Sequence, residues 1–238
     1  MNNRTDHIVR AIFAAGIAST ALLCATLGMA QSPQMEEKLM AIKQKMAMNK
    51  QALAQYSWTE TETISIKGSV KDTKTYQVQT VNGQQQKTLV NNQAASSGGR
   101  QGRVKEHVVE KKKEEYQDYG QQIGALAKQY TTPDPDRLMQ AKQQGNLSLQ
   151  PGQGTVALVI KSFVKPNDQV TMTISEQTKA PVSIQVNSYL NDPSDKVNIN
   201  AQFAQLPDGT NHVSTSTING VSKQLTVQDQ NSNYQKVM

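Results

Sequence analysis

The chain has 238 residues, 36% of them hydrophobic and only 5% aromatic, with a formal net charge of +6. A single cysteine excludes an internal disulfide framework, and the abundance of Gln, Asn, Ser and Thr suits a sheet with one polar face better than a dense enzyme core. The positive charge permits weak attraction to anionic lipid or polysaccharide without requiring it.

In chain order, residues 1–30 come first. Arg4 and Arg10 start a basic region, Ala11 to Leu27 is uncharged and mostly apolar, and Gly28-Met29-Ala30 precedes Gln31. This is the pattern of a secretory signal peptide with cleavage after Ala30. An uncleaved anchor is the alternative, and lipidation at Cys24 is disfavoured because Leu23, not a small residue, precedes it. The sequence predicts an exported protein, periplasmic in a diderm bacterium, whose mature residues 31–238 form one domain. Cleavage also removes Cys24 and leaves a mature charge of +5, since Arg4, Arg10 and Asp6 go with the leader.

Residues 33–54 read as an amphipathic helix. Ser32 can cap it and Pro33 suits its first turn. Met35, Leu39, Ile42, Met46 and Leu53 share a face at helical spacing, while Lys38, Lys43, Lys45 and Lys50 lie largely elsewhere. From Tyr56 the period changes to two. Trp58, Glu60, Glu62, Ile64 and Ile66 point one way, and Thr and Ser residues point the other. Lys67-Gly68 predicts a turn into a second strand, on which Val70, Tyr76 and Val78 share a face. Asn82-Gly83 predicts a type I′ hairpin into a third strand, Gln84 to Val90. Residues 91–103 read as a flexible loop. A helical insertion over 104–145 follows, its first helix from about Val104 to Tyr130, with Val109, Tyr116, Ile123, Leu126 and Tyr130 along it. Its second helix starts at Asp134-Pro135, buries Leu138 and Met139, and ends at Gly145.

The remainder predicts a meander of strands. Thr155 to Val164 is nearly all apolar and is expected to be central. After a turn at Lys165 to Asp168, three alternating sets follow: Val170, Met172 and Ile174; Val182, Ile184 and Val186; Val197, Ile199, Ala201 and Phe203. Pro207-Asp208-Gly209 and Asn219-Gly220 predict turns, and Val213 to Ile218 and Val221 to Val227 complete the meander.

The expected fold is α+β: a curved antiparallel sheet, an incomplete β-barrel, closed over the N-terminal helix and the helical insertion. The order of elements over residues 33–232, with Tyr56-Ser-Trp-Thr-Glu60 after the first helix and Phe203-Ala-Gln-Leu-Pro-Asp-Gly-Thr210 late in the meander, resembles the periplasmic lipoprotein-carrier superfamily, which includes sigma-factor regulators. That resemblance implies an apolar cavity and the binding of acyl chains or another apolar ligand. No functional residue of the family aligns here. The groove candidates are Met35, Leu39, Ile42, Met46, Trp58, Ile64, Val182, Ile184, Val197, Ile199 and Phe203.

No catalytic, cofactor or metal site is expected. His107 and His212 read as solvated surface residues, and Gly152-Gln-Gly154 lacks the rest of a phosphate loop. Asp192-Pro-Ser-Asp195 reads as a capped turn and not a calcium loop. Lys111-Lys112-Lys113 is flanked by Glu110, Glu114 and Glu115, so the expected face is solvated and nucleic acid is not a predicted partner. Glu60 and Glu62 share the face of Trp58; at a solvated rim they are ordinary carboxylates, whereas in a concave face one of them could have a raised pKa. Three functions compete. The first is a non-enzymatic envelope protein binding a lipid, lipoprotein or other apolar ligand. The second is an interaction or sensor module of the same fold, docking a membrane-anchored partner. The third is a hydrolase or lyase using Glu60 or Glu62. The charge permits peripheral membrane contact, and there is no strong signal for an oligomer.

Overall fold

A computed structural model describes residues 44–45, 47–94, 103–131, 140–141 and 143–237. The expected signal peptide, the groove candidates Met35, Leu39, Ile42 and Met46, the loop residues 95–102 and the Asp134-Pro135 helix start lie outside the described residues.

Residues 47–53 are helical (α1) and end one turn before β1 (Tyr56–Ile66). Two hairpins follow, β1 to β2 (Ser69–Val81) and β2 to β3 (Gln84–Ala94). Lys67-Gly68 and Asn82-Gly83 make their turns, all four residues with positive φ between 52° and 76°, as type I′ geometry demands. The long helix α2 (Arg103–Thr131) matches the expected first helix of the insertion to within a residue at each end. Then come β4 (Leu147–Pro151), β5 (Thr155–Lys161), β6 (Gln169–Ser175), β7 (Pro181–Tyr189), β8 (Lys196–Gln205), β9 (Asn211–Gly220) and β10 (Leu225–Lys236).

The ten strands form one open sheet in the order β3-β2-β1-β10-β9-β8-β7-β6-β5-β4, with every neighbouring pair antiparallel. The first strand therefore pairs with the last. This β1–β10 seam joins the N-terminal three-strand unit to the meander.

One row crosses the sheet from Leu147 through Ile160, Val170, Val186, Ile199, Ile218 and Val227 to Ile64. The second half of α2 covers it: Tyr119, Ile123, Leu126 and Ala127 join these residues in one buried core, with Phe163, Leu190, Val197 and Leu225. Residues 110–115 of the same helix are exposed, as the charge pattern predicts. Behind α2, Asp168 closes the β5–β6 loop. Its carboxylate accepts the backbone N–H groups of Phe163, Val164 and Lys165 at 2.6, 2.9 and 2.8 Å and the Tyr130 hydroxyl at 2.6 Å. Burial and that carboxylate both push the Tyr130 hydroxyl pKa up.

Several expectations need correction. Thr155 to Val164 is not central: β5 lies one strand in from the edge, and the edge strand β4, too short and mixed to show a period, was not anticipated. Residues 91–94 continue β3 and pair with β2 instead of opening a loop. Asn219-Gly220 is strand, not turn; the chain turns at residues 221–224. The glycine has another cause: a Cβ at Gly220 would sit 2.3 Å from the Tyr119 ring, so α2 can approach only over a bare backbone.

β-Bulges break two alternations. An extra residue at Lys71 shifts the β1–β2 register, which turns Val70 out to 52% exposure while Val78 is fully buried. An extra residue at Val182 does the same in β7. Val182 is 38% exposed, and Pro181 takes the inward place opposite Ile174.

Candidate functional site

The face that α2 covers changes character toward the seam. The row next to the apolar one runs Met172, Ile184, Ala201, Ser216, Asp229, Glu62 and Lys74. Strict alternation along β1 puts Trp58, Glu60, Glu62 and Ile64 on this face. The seam register sets Glu62 opposite Asp229, and the β1–β2 register sets it opposite Lys74. Glu60 and Glu62 are therefore not at a solvated rim: they are 4% and 3% exposed, and Asp229 and Lys74 are buried with them.

Partners neutralise part of this charge. Lys87 of β3 forms a salt bridge with Glu60, Lys74 lies 3.6 Å from Asp72, and Ser216 donates to Asp229 at 2.9 Å. Burial first, and then the Asp229 carboxylate opposite, push the Glu62 carboxyl up to about 7, with Lys74 and Lys87 only partly offsetting them. Burial raises Asp229 as well, with Glu60 adding to it and Lys87 and Ser216 opposing. The two carboxyls face each other, both buried, across the seam. Among the described residues, Asp229 Oδ1, Asp72 Oδ1, Asn231 Oδ1 and Trp58 Nε1 have no hydrogen-bond partner, and no group of three or more His, Cys, Asp or Glu side chains is placed to hold a metal ion.

An aromatic stack leads from this cluster to the end of the sheet. A bulge at Asn233, with φ of 54°, brings Tyr234 over Trp58 with ring centroids 5.4 Å apart and planes 18° from parallel. Tyr234 also packs on His212 at 4.1 Å and donates to the Val213 carbonyl at 3.3 Å. His212 is thus not a solvated surface residue. It is 7% exposed, its Nδ1 is 3.1 Å from the Val213 carbonyl, and burial lowers its pKa so that the neutral ring is favoured.

His212 lines a cleft of about 310 Å³ at that end of the sheet, between the end of α1, the β6–β7 turn and the β8–β9 turn. Ala180, Pro181 and Phe203 supply its apolar wall. Lys45, Lys50 and Lys179 line it too, with Asn49, Gln177, Thr178, Gln205, Gly209 and Asn211. Asn49 fastens the helix end to the sheet: its amide donates to the Asn211 carbonyl at 2.7 Å and accepts the Asn211 N–H at 2.5 Å. The Pro207-Asp208-Gly209 turn forms as expected. Asp208 accepts the Thr210 N–H at 3.0 Å and the Tyr56 hydroxyl at 2.6 Å, and these bonds hold its carboxyl well below the usual range.

Of the described groove candidates, the structure brings only Phe203 to the cleft. Val197 and Ile199 are filled core under α2, with Ile64 and Ile184 packed against that core. Trp58 is buried under Tyr234, and Val182 is turned to solvent by its bulge. The single expected groove is therefore split into a filled apolar part and a separate end cleft. The lysines of the cleft were missed as a group because they come from two distant segments, residues 45–50 and 179. Asp192 accepts the Ser194 N–H and hydroxyl at 2.8 and 2.7 Å, the expected capped turn. The side chain of His107 lies outside the described residues.

No protein-family model matches this chain, and no curated protein is significantly similar to it.

Proposed function

We propose that the mature chain is an exported, non-enzymatic binding protein of the cell envelope that takes up an amphiphilic or apolar ligand. In this reading the sheet acts as an incomplete barrel of the lipoprotein-carrier type, and the ligand enters at its end. The observation that carries the reading is the cleft of about 310 Å³, which offers an apolar wall of Ala180, Pro181 and Phe203 beside a polar rim. That volume is at the lower end of the range for small-molecule sites, so the cleft suits a head group with a short length of chain. Acyl chains longer than that extend out of it.

The test is a series of neutral amphiphiles, straight-chain alcohols of six to twelve carbons, titrated by calorimetry. Affinity is expected to rise with chain length and to fall when Phe203 is replaced by Ser. Absence of binding across the series and by charged amphiphiles of the same chain length would remove the reading.

A hydrolase or lyase using Glu62 is the second reading, favoured by the Glu62 carboxyl near neutrality. It is the weaker one because neither Glu60 nor Glu62 borders the cleft.

A further inference from the structure

Three lysines line the cleft, and among the described residues no acidic side chain lines it with them. Lys45 and Lys50 come from the N-terminal helical segment and Lys179 from the β6–β7 turn, where its φ of 57° places it in the left-handed region. Among the described residues, none of the three lysines makes an ion pair. Two described acidic residues adjoin lining residues in the chain. Asp208, beside Gly209, is engaged by Tyr56 and by Lys236 at 3.2 Å, and Glu176, beside Gln177, is not a lining residue. Like charges around one small cavity repel one another, and that repulsion is relieved when an anion enters. Lys45 and Lys50 are exposed and Lys179 is half-buried, so their ammonium groups are open to a ligand from solvent, unlike Lys74 and Lys87, which lie against Asp72 and Glu60.

We infer that the ligand is an anionic amphiphile, a carboxylate or a phosphate monoester on an alkyl chain, with its head among Lys45, Lys50 and Lys179 and its first carbons against Phe203 and Pro181. The inference rests on the binding reading above and adds the charge of the head group. The ammonium groups supply charge-assisted donors to the anion. Asn49 and Asn211 hold each other, which fixes the helix end that carries Lys50 against the strand that carries His212. Trp58 is the only tryptophan of the chain and touches the cleft through Tyr234 and His212, so its fluorescence is a built-in reporter.

The experiment titrates the full mature chain with dodecanoate, dodecyl phosphate, dodecanol, dodecyltrimethylammonium and inorganic phosphate, below micelle-forming concentrations. Calorimetry gives affinity, and Trp58 emission gives the site. The variant is Lys45→Gln/Lys50→Gln/Lys179→Gln, which removes charge from side chains at the protein surface; its melting temperature checks that it folds.

The expected result has both anions binding wild type at least about tenfold more tightly than dodecanol, the scale of one charge-assisted hydrogen bond. The preference should shrink at high salt and vanish in the triple variant, with dodecanol affinity unchanged. Equal binding of dodecanol and dodecanoate would overturn the inference and leave the binding reading standing. Inorganic phosphate binding as tightly as dodecyl phosphate would overturn it too, as an anion site with no place for a chain. No binding by any probe would remove both.

Discussion

The two halves of one sheet face are buried to the same degree by different means. Under α2 the row from Ile160 to Ile64 is aliphatic throughout, and the helix adds Tyr119, Ile123 and Leu126 to it. One residue pair further along each strand, the row becomes polar at β9 and continues as Ser216, Asp229, Glu62 and Lys74. The first half is held by non-directional contact, which is indifferent to pH. The second depends on ion pairs and on protons, because a buried charge is tolerated only when paired or neutralised. The difference teaches that burial alone does not identify the structural core. The charged half sits at the seam between first and last strands, where loss of a partner should loosen the whole N-terminal unit.

The largest expected effect comes from the charged half. Lys87→Met leaves Glu60 buried without its cation, and the expected loss is about 3–5 kcal/mol in urea denaturation. The double variant Lys87→Met/Glu60→Leu should recover most of it. If the double variant is no better than the single, the pair is not the unit that matters. Next is the apolar half. Ile123→Ala, at a fully buried position, should cost about 2–4 kcal/mol with little dependence on pH. A smaller loss would mean that α2 covers the sheet loosely.

The pH dependence separates the halves most cleanly. Glu62 is raised from an ordinary 4.5 to about 7. A raised carboxyl binds more protons in the folded than in the unfolded state, so its contribution is complete below pH 4.5 and is lost as pH rises to about 7. The melting temperature should fall across that window, with Asp229 contributing in the same direction. Glu62→Gln should flatten the slope, whereas Ile123→Ala should leave it intact. An unchanged slope in Glu62→Gln would show that the seam carboxyls do not control it. The smallest effect is expected at the exposed pair of Glu115 and Lys223, where Lys223→Ala should give no resolvable change in melting temperature.

The legible parts of the chain were those governed by neighbours in sequence. Asn82-Gly83 and Lys67-Gly68 need positive φ at adjacent positions, and few residue pairs accept it, so both hairpins could be read directly. α2 was readable from the seven-residue recurrence of Val109, Tyr116, Ile123 and Tyr130, and Glu60 and Glu62 could be placed on the Trp58 face by period two. Their burial could not. It depends on which strands flank β1, and β10 arrives from nearly 170 residues further on. His212 was misjudged for the same reason, since the ring that covers it, Tyr234, is delivered by a bulge in another strand. Bulges at Lys71 and Val182 turned Val70 and Val182 outward although their alternation pointed in, because one extra residue reverses every later side chain.

By itself, then, the sequence determined the local elements: the strand periods, the tight turns, the long helix and the exposure of its charged residues 110–115. Backbone sterics and side-chain periodicity act over a few residues and are written in consecutive letters. Tertiary structure alone decided the order of strands in the sheet, the β1–β10 seam that sets Glu62 against Asp229, the need for a bare Gly220 beneath Tyr119, and the meeting of Lys45, Lys50 and Lys179 at one cleft. Each of these rests on contacts between segments far apart in the chain. Their energies come from packing, desolvation and charge in three dimensions, and no local pattern encodes them.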